Sequence, residues 1–297
     1  MRRFLKWLGI GLGSLIGFIL IVTLGLYAST SVRLNRVYSV QEGAITIPTD
    51  TASIERGRLW VTSECTHCHG SDLSGTTIFD DPKLGKIDAP NLTSGKGGAG
   101  NEFTDADWVR AIRYGINPEG HSLFIMPSSD FYHFSDADLG EIIAYLKSLT
   151  PVNKEWADPL LTPMAYVLIS AGAFGELIQA ENIPHNAARL AVPQPGVSID
   201  YGRYLVTVSG CRTCHGVNLA GGHDPNPAAP PAPGLTSSGG LAKWAPTDFI
   251  ATIRNGVDIS GHHLTDFMPW RDFMHMSDKQ LTAIWLYLQS PQSASGK

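Results

Sequence analysis

Three patterns of apolar and polar positions run along this chain. The first is continuous. From Trp7 to Val32, within MRRFLKWLGIGLGSLIGFILIVTLGLYASTSVR, no charged residue intervenes, and a helix of that length can cross a bilayer. A secretory signal would hold about 7–15 apolar residues before a small-x-small cleavage site. This run is longer, and Leu26-Tyr27-Ala28 is a poor site, so an uncleaved anchor is expected over 1–33. Arg2, Arg3 and Lys6 favour a cytoplasmic N-terminus, although Arg33 and Arg36 across the span make the asymmetry modest.

The second pattern has helical spacing. Leu139, Ile142, Ile143 and Leu146 share one face, as do Leu281, Ile284, Trp285 and Leu288. Ser135-x-x-Asp138 and Ser277-x-x-Gln280 stand where N-terminal caps belong, and Thr104-x-x-Asp107 has capping-box spacing ahead of Trp108, Ala111 and Ile112. No segment alternates with the period of two that a strand requires. TSGKGGAG (93–100) and DPNPAAPPAP (224–233) read as loops from their Gly and Pro content. The third pattern is the uncharged run of 16 residues from Leu160 to Gly175, broken by Pro163 and Gly172 and short for a span. It reads as an interdomain helix or buried connector.

The chain repeats itself. IERGRLWVTSECTHCHGSDLSG (54–75) matches IDYGRYLVTVSGCRTCHGVNLAG (199–221), with one insertion. APNLTS (89–94) matches APGLTS (232–237), AIRYG (111–115) matches TIRNG (252–256), and MPSSDFYHFSDADLGEIIAYLKSL (126–149) matches MPWRDFMHMSDKQLTAIWLYLQS (268–290). Landmarks recurring in order at an offset of about 145 residues mark a duplicated domain rather than a short solenoid repeat. The expected organisation is an anchor at 1–33, a linker at 34–51, domains at 52–150 and 196–292, a connector at 151–195 and a tail at 293–297. About 20 residues between anchor and first domain would reach at most ~70 Å if extended.

Composition narrows the class. With 43% hydrophobic and 16% charged residues the chain suits a folded protein with a membrane element, not a disordered one. A formal charge of −5 argues against nucleic acid, which asks for a basic face. The charge is uneven. From 50 to 150 there are 15 Asp and Glu against 8 Lys and Arg, a net of −7; from 185 to 297 there are 7 against 8, a net of +1.

All four cysteines lie in the repeated motif, as Cys65-x-x-Cys68-His69 and Cys211-x-x-Cys214-His215. On a helix, positions i, i+3 and i+4 share a face. Two thiols there can add to the vinyl groups of one haem while the imidazole reaches the iron, which is the c-type attachment pattern. Zinc would want four ligands together, but the pairs stand 146 residues apart in separate domain copies. A redox dithiol would want a βαβ setting, which is absent. Two covalently bound haems are expected. Attachment outside the cytoplasm, which resemblance to c-type cytochromes implies, would put both domains on the outer face and exclude 160–175 as a span.

A second axial ligand is expected at Met126 and Met268, each before a proline at matched places, 57 and 53 residues past the motif histidines. Thioether sulfur raises the reduction potential. His133 and His275 also match across copies and are the rivals; Met274 and Met276 lack counterparts. His67 fills a variable motif position and is expected to be exposed, with His121 and His262 at pocket rims.

By these motifs the chain resembles the class I cytochromes c, of the diheme type with two domains in tandem, over about 52–150 and 196–292. The resemblance implies an all-α fold plus one N-terminal transmembrane helix. It implies that Pro90 and Pro233 accept a hydrogen bond from the axial histidine's Nδ1–H, that Tyr145 and Tyr287 pack near haem, and that Arg113 and Arg254 face propionates. An Asn91 side-chain bond to the methionine sulfur is implied in the first copy only, since the second has Gly234. The implied function is a periplasmic relay of single electrons, as a shuttle or as a subunit serving a membrane dehydrogenase or oxidase complex, and not an enzyme. The alternative is a diheme peroxidase or a thiosulfate-oxidising cytochrome.

Overall fold

The computed structural model describes residues 1–41, 43–185, 192–224, 226, 228–291 and 293. Ser293 is therefore the one described residue of the expected tail, and 186–191 of the connector and Pro225 and Pro227 of the second loop lie outside the described residues. Helix α1, Arg2–Leu34, buries none of its most apolar stretch.

The first domain comprises α2 (Thr51–Glu64), α3 (Thr66–His69), strands β1 (Thr77–Asp81) and β2 (Gly85–Asp88), α4 (Ala99–Glu102), α5 (Asp105–Val109), α6 (Ser128–Phe131) and α7 (Asp136–Lys147). A π-helical turn, Arg110–Tyr114, extends α5. The expected caps form. Thr104 and Asp107 close a reciprocal box, and Ser135 Oγ accepts from Asp138 N at 2.8 Å. The connector contributes β3 (Leu160–Leu161) and α8 (Pro163–Ser170). The second domain repeats the plan with α9 (Ile199–Val208), α10 (Cys211–His215), α11 (Pro246–Asn255), α12 (Trp270–Phe273) and α13 (Asp278–Gln289), the last opened by the Ser277–Gln280 box.

The first and last helices of each domain cross at a glycine. A Cβ on Gly57 of α2 would stand 1.9 Å from the Glu141 carbonyl oxygen of α7, and one on Gly202 of α9 would stand 1.9 Å from that of Ala283 on α13. Only glycine lets the backbones approach so closely. Behind each crossing lies a core that includes Val61, Leu139 and Ile143 in one domain and Leu205, Leu281 and Leu288 in the other.

One expectation needs correction. The chain does contain strands: β1 pairs antiparallel with β2, and β2 with β3. They are short and lie largely at the surface, so no apolar face imposes a period of two. The segment expected as a linker packs on the first domain. Tyr38 N donates to Gly120 O at 2.8 Å, Ile45 and Ile47 pack on the core, and the Thr46 carbonyl stands over Gly140.

The domains meet across a seam with pseudo-two-fold character, in which α12 touches α2 and α6 touches α9. Thr66 Oγ1 of α3 donates to Asp272 Oδ1 of α12 at 3.1 Å, and Thr213 Oγ1 of α10 donates to Asp130 Oδ2 of α6 at 3.3 Å. The two aspartates correspond in the two copies, and Thr213 corresponds to His67, whose Nδ1 lies 3.3 Å from Asp272, so the seam approaches an isologous interface. Tyr204 OH of α9 donates to Asp138 and accepts from Ser135 N, and its ring meets Trp60 edge-on at 6.5 Å.

Candidate haem sites

Each cysteine motif is folded as a short helix ended by a glycine in the left-handed region, Gly70 at φ 81° and Gly216 at φ 83°. The chain then turns back, and Gly75 N and Gly221 N donate to the carbonyls of His69 and His215 at 2.8 and 3.0 Å. With their backbones held this way, the two imidazoles make the same bond. His69 Nδ1–H donates to Pro90 O at 2.9 Å, and His215 Nδ1–H to Pro233 O at 2.7 Å. Because a carbonyl only accepts, this bond fixes the tautomer and leaves Nε2 with its lone pair. Burial holds both rings below the ordinary histidine value, against the proline carbonyls, which pull the other way. A neutral imidazole with Nε2 free is the form that binds iron.

The four cysteines are free thiols. Burial pushes Cys65 and Cys68 up, and Cys211 and Cys214 to about 12. Among the described residues, no group of three or more His, Cys, Asp or Glu could hold a bare metal ion. The donor set therefore fits a haem held by its own macrocycle, with one imidazole and two thiols supplied by each domain.

Met126 and Met268 are half-buried against the core. Each carbonyl accepts from the residue two positions on, Ser128 N and Trp270 N, both at 2.7 Å, and Ser128 Oγ ties the first loop to Ala111 O at 3.1 Å. Ile125, just before Met126, sits at φ 70°, a strained region for a β-branched residue. Its N–H donates to Leu177 O of the connector at 3.0 Å, so the connector clamps this loop. Of the rival ligands, His275 is exposed and His133 half-buried.

The other implied residues make the following protein contacts. Arg113, 2% exposed, donates to Phe134 O at 3.0 Å and pairs with Asp136 at 2.9 Å, while Arg254 reaches Met274 O and Asp278. Both arginines tie a helix end to the start of the closing helix. The Asn91 amide donates to Val152 O at 2.7 Å and Lys154 O at 3.2 Å rather than to a methionine. Tyr287 is fully buried and takes a bond from Arg212, and Tyr145 is half-buried beside Gly57.

Sequence reasoning missed Glu64. Its Oε1 accepts from Ser209 Oγ of the second domain at 2.9 Å. Burial pushes its carboxyl up to about 8, opposed by Ser209 and Ser63 and reinforced by Asp130 and Asp272. It also acts electrostatically on Cys65 and Cys211 alike. No repeat pointed to it, because the second copy has Gly210 there. His67 is exposed as expected, yet its Nδ1 lies 3.3 Å from Asp272 across the seam.

Residues 54–150 match the family model described as cytochrome c, and residues 199–288 the model described as cytochrome C oxidase, cbb3-type, subunit III. The gluconate 2-dehydrogenase cytochrome c subunit of Pantoea cypripedii is 28% identical over 272 residues, covering 80% of this chain and 59% of the relative. The cytochrome c subunit of alcohol dehydrogenase (quinone) from Gluconobacter oxydans (strain 621H) is 27% identical, covering 84% and 57%. The fructose dehydrogenase cytochrome subunit of Gluconobacter japonicus is 24% identical, covering 80% and 52%. The chain thus spans less than two thirds of each of these relatives. With a histidine–proline bond in each matched region, the chain is a tandem of two cytochrome c domains behind an apolar N-terminal helix, homologous to the cytochrome c subunits of dehydrogenases.

Proposed function

We propose that this chain carries two covalently attached c-type haems, one per domain. In this reading it passes single electrons between them on the periplasmic side of a membrane, as the electron-transfer subunit of a substrate-oxidising dehydrogenase. The observation that carries the reading is the reciprocal seam, which sets the two cysteine-motif helices against matched aspartates of the opposite domain. Bound haem iron supplies the one-electron chemistry. Cys65 and Cys68, and Cys211 and Cys214, anchor the macrocycles. His69 and His215 ligate through Nε2, with Pro90 and Pro233 fixing their orientation. Met126 and Met268 would supply the second ligand to each iron, and Arg113, Arg254, Tyr145 and Tyr287 would shape the surroundings. The named relatives favour a dehydrogenase as donor. The chain itself acts as a carrier, because both domains retain a methionine at the matched place and no cysteine is spare to serve as a ligand.

The test is purification of the full chain with its native neighbours in mild detergent. Intact mass after denaturation should show two haems, and one in the Cys65→Ala/Cys68→Ala variant. Substrate of the co-migrating dehydrogenase should reduce both. A mass with one haem, or bound zinc, overturns the reading, as does a co-migrating dehydrogenase that reduces neither haem.

A further inference from the structure

Helix α8 belongs to the connector but packs on the anchor. Tyr166 stacks on Tyr27 with centroids 4.8 Å apart. Thr30, with no exposed surface, sets its hydroxyl 2.7 Å from Tyr166 O and 2.6 Å from Ser170 Oγ. Pro163, Met164 and Val167 face Thr23, Leu24 and Tyr27 across a crevice of about 350 Å³. The N-terminal end of α8 therefore lies beside residues 23–27 of the anchor and its C-terminal end beside Thr30.

The level of the bilayer follows from the anchor. A hydrocarbon core of about 30 Å takes about 20 helical residues, which from Trp7 reach Leu26. Trp7 and Tyr27 then sit at the two interfaces, where aromatic rings concentrate. Beyond Tyr27 the first charge is Arg33, paired with Glu181 at 2.7 Å and Glu176 at 3.6 Å. The start of α8 is thus level with the outer edge of the core. It carries no charge between Asp158 and Glu176, and it exposes apolar side chains, Met164 at 43% and Leu160 at 71%. Next to it the β1–β2 turn is tied down by Thr162, whose N–H donates to Leu84 O at 3.1 Å. That turn leaves Lys83 exposed, at the height of lipid phosphates.

We propose that α8 and Leu160 form a second membrane contact, an apolar foot pressed into the acyl–headgroup boundary of the outer leaflet beside the anchor. The occupant of this face is lipid, because the face continues the anchor's own lipid-facing surface. This inference rests on the reading of α1 as a membrane anchor. The first domain then stands on the bilayer at a fixed tilt, and its haem site is held at a fixed height above the lipid.

The test uses full-length reduced protein in liposomes, spin-labelled at single introduced cysteines. In the proposed holo-protein all native cysteines are bonded to haem, so only the new one reacts. Met164→Cys and Leu160→Cys each present an exposed site, with Ile19→Cys in the anchor and Ile259→Cys on the second domain as references. Labels at 164 and 160 should show several-fold higher oxygen access and several-fold lower access to a water-soluble nickel chelate than the label at 259. If 164 and 160 resemble 259 while 19 lies in lipid, the foot is wrong and the anchor stands. If 19 itself is open to nickel, the anchor reading fails first. If 164 is shielded from both reagents, another protein surface covers α8, which also overturns a lipid seat.

Discussion

Thr66, inside the first cysteine motif, shares its single hydroxyl proton between Thr62 O of its own helix at 2.7 Å and Asp272 of the second domain at 3.1 Å. Thr213, one place further along the second motif, makes the reverse crossing to Asp130, the counterpart of Asp272. The domains are therefore joined through the segments that carry the cysteines, and the joint is polar at its edges. Its centre is aromatic, with Trp60 and Tyr204 edge to face.

Tyr204 is where that joint is most exposed to a small change. Its hydroxyl serves Asp138 and the buried Ser135 N–H together, at the first turn of α7. Tyr204→Phe leaves that N–H without its acceptor, a penalty of about 1–3 kcal/mol. Denaturant unfolding of the holo-protein should show this loss, with both haem sites intact by absorption. A variant as stable as wild type would mean that water replaces the hydroxyl.

How much of this was legible in the sequence depends on whether a contact is local. The caps at Thr104, Ser135 and Ser277 were legible because a cap spans four residues. The histidine–proline bonds were available through resemblance, since both motifs are intact. The seam was not legible: Asp130 and Asp272 stand in matched strings, SSDF and WRDF, but nothing local says that each aspartate faces the other copy. Glu64 has no counterpart, and its carboxyl becomes unusual only when Ser209 arrives from 145 residues away. The packing of α8 on α1 was equally hidden, because an apolar run does not name the surface that covers it.

The paired methionines give the most direct check on ligation. Met126→Ala and Met268→Ala should each open one iron, so that the reduced protein takes up one equivalent of carbon monoxide where wild type takes up little. His133→Ala and His275→Ala should leave that behaviour unchanged. Stoichiometric carbon monoxide binding by wild type at one haem would instead favour a peroxidase-like centre.

Glu64 makes the protein sensitive to pH. Its folded value of about 8 lies above the ordinary 4.5, so folding favours the protonated form. The stability that Glu64 itself contributes is then fully present below about 4.5 and is lost as pH rises through about 8. Oxidised iron carries one more positive charge and favours the carboxylate, so the midpoint potential of the nearer haem should fall as pH climbs across the same upper range. Ser209 and Ser63, Asp130 and Asp272, and the sulfurs of Cys65 and Cys211 are the groups around it. Glu64→Gln should flatten both dependences, as read by melting and by redox titration at several pH values. A midpoint that keeps its slope in the variant would assign the proton elsewhere.

Partner choice should follow charge. The first domain carries a net of −7 over 50–150, from 15 acidic and 8 basic residues, while 185–297 carries +1, from 7 and 8. Propionates make both more negative but preserve the difference. Charge of one sign steers diffusional encounter and sets orientation more than it adds affinity. The first domain should therefore dock a soluble basic redox protein, while the more neutral second domain suits a permanent neighbour such as a dehydrogenase subunit. Screening shortens to about 8 Å at physiological ionic strength, so electron transfer to a basic cytochrome should slow steeply as salt rises when it leaves from the first haem. The measurement is stopped-flow oxidation of full-length protein, comparing variants that neutralise exposed Asp72, Asp80 and Glu102 of the first domain with variants that neutralise Asp248 and Asp258 of the second. Only the first set should lower the salt slope. Equal effects from both sets would mean that the acidity serves solubility alone.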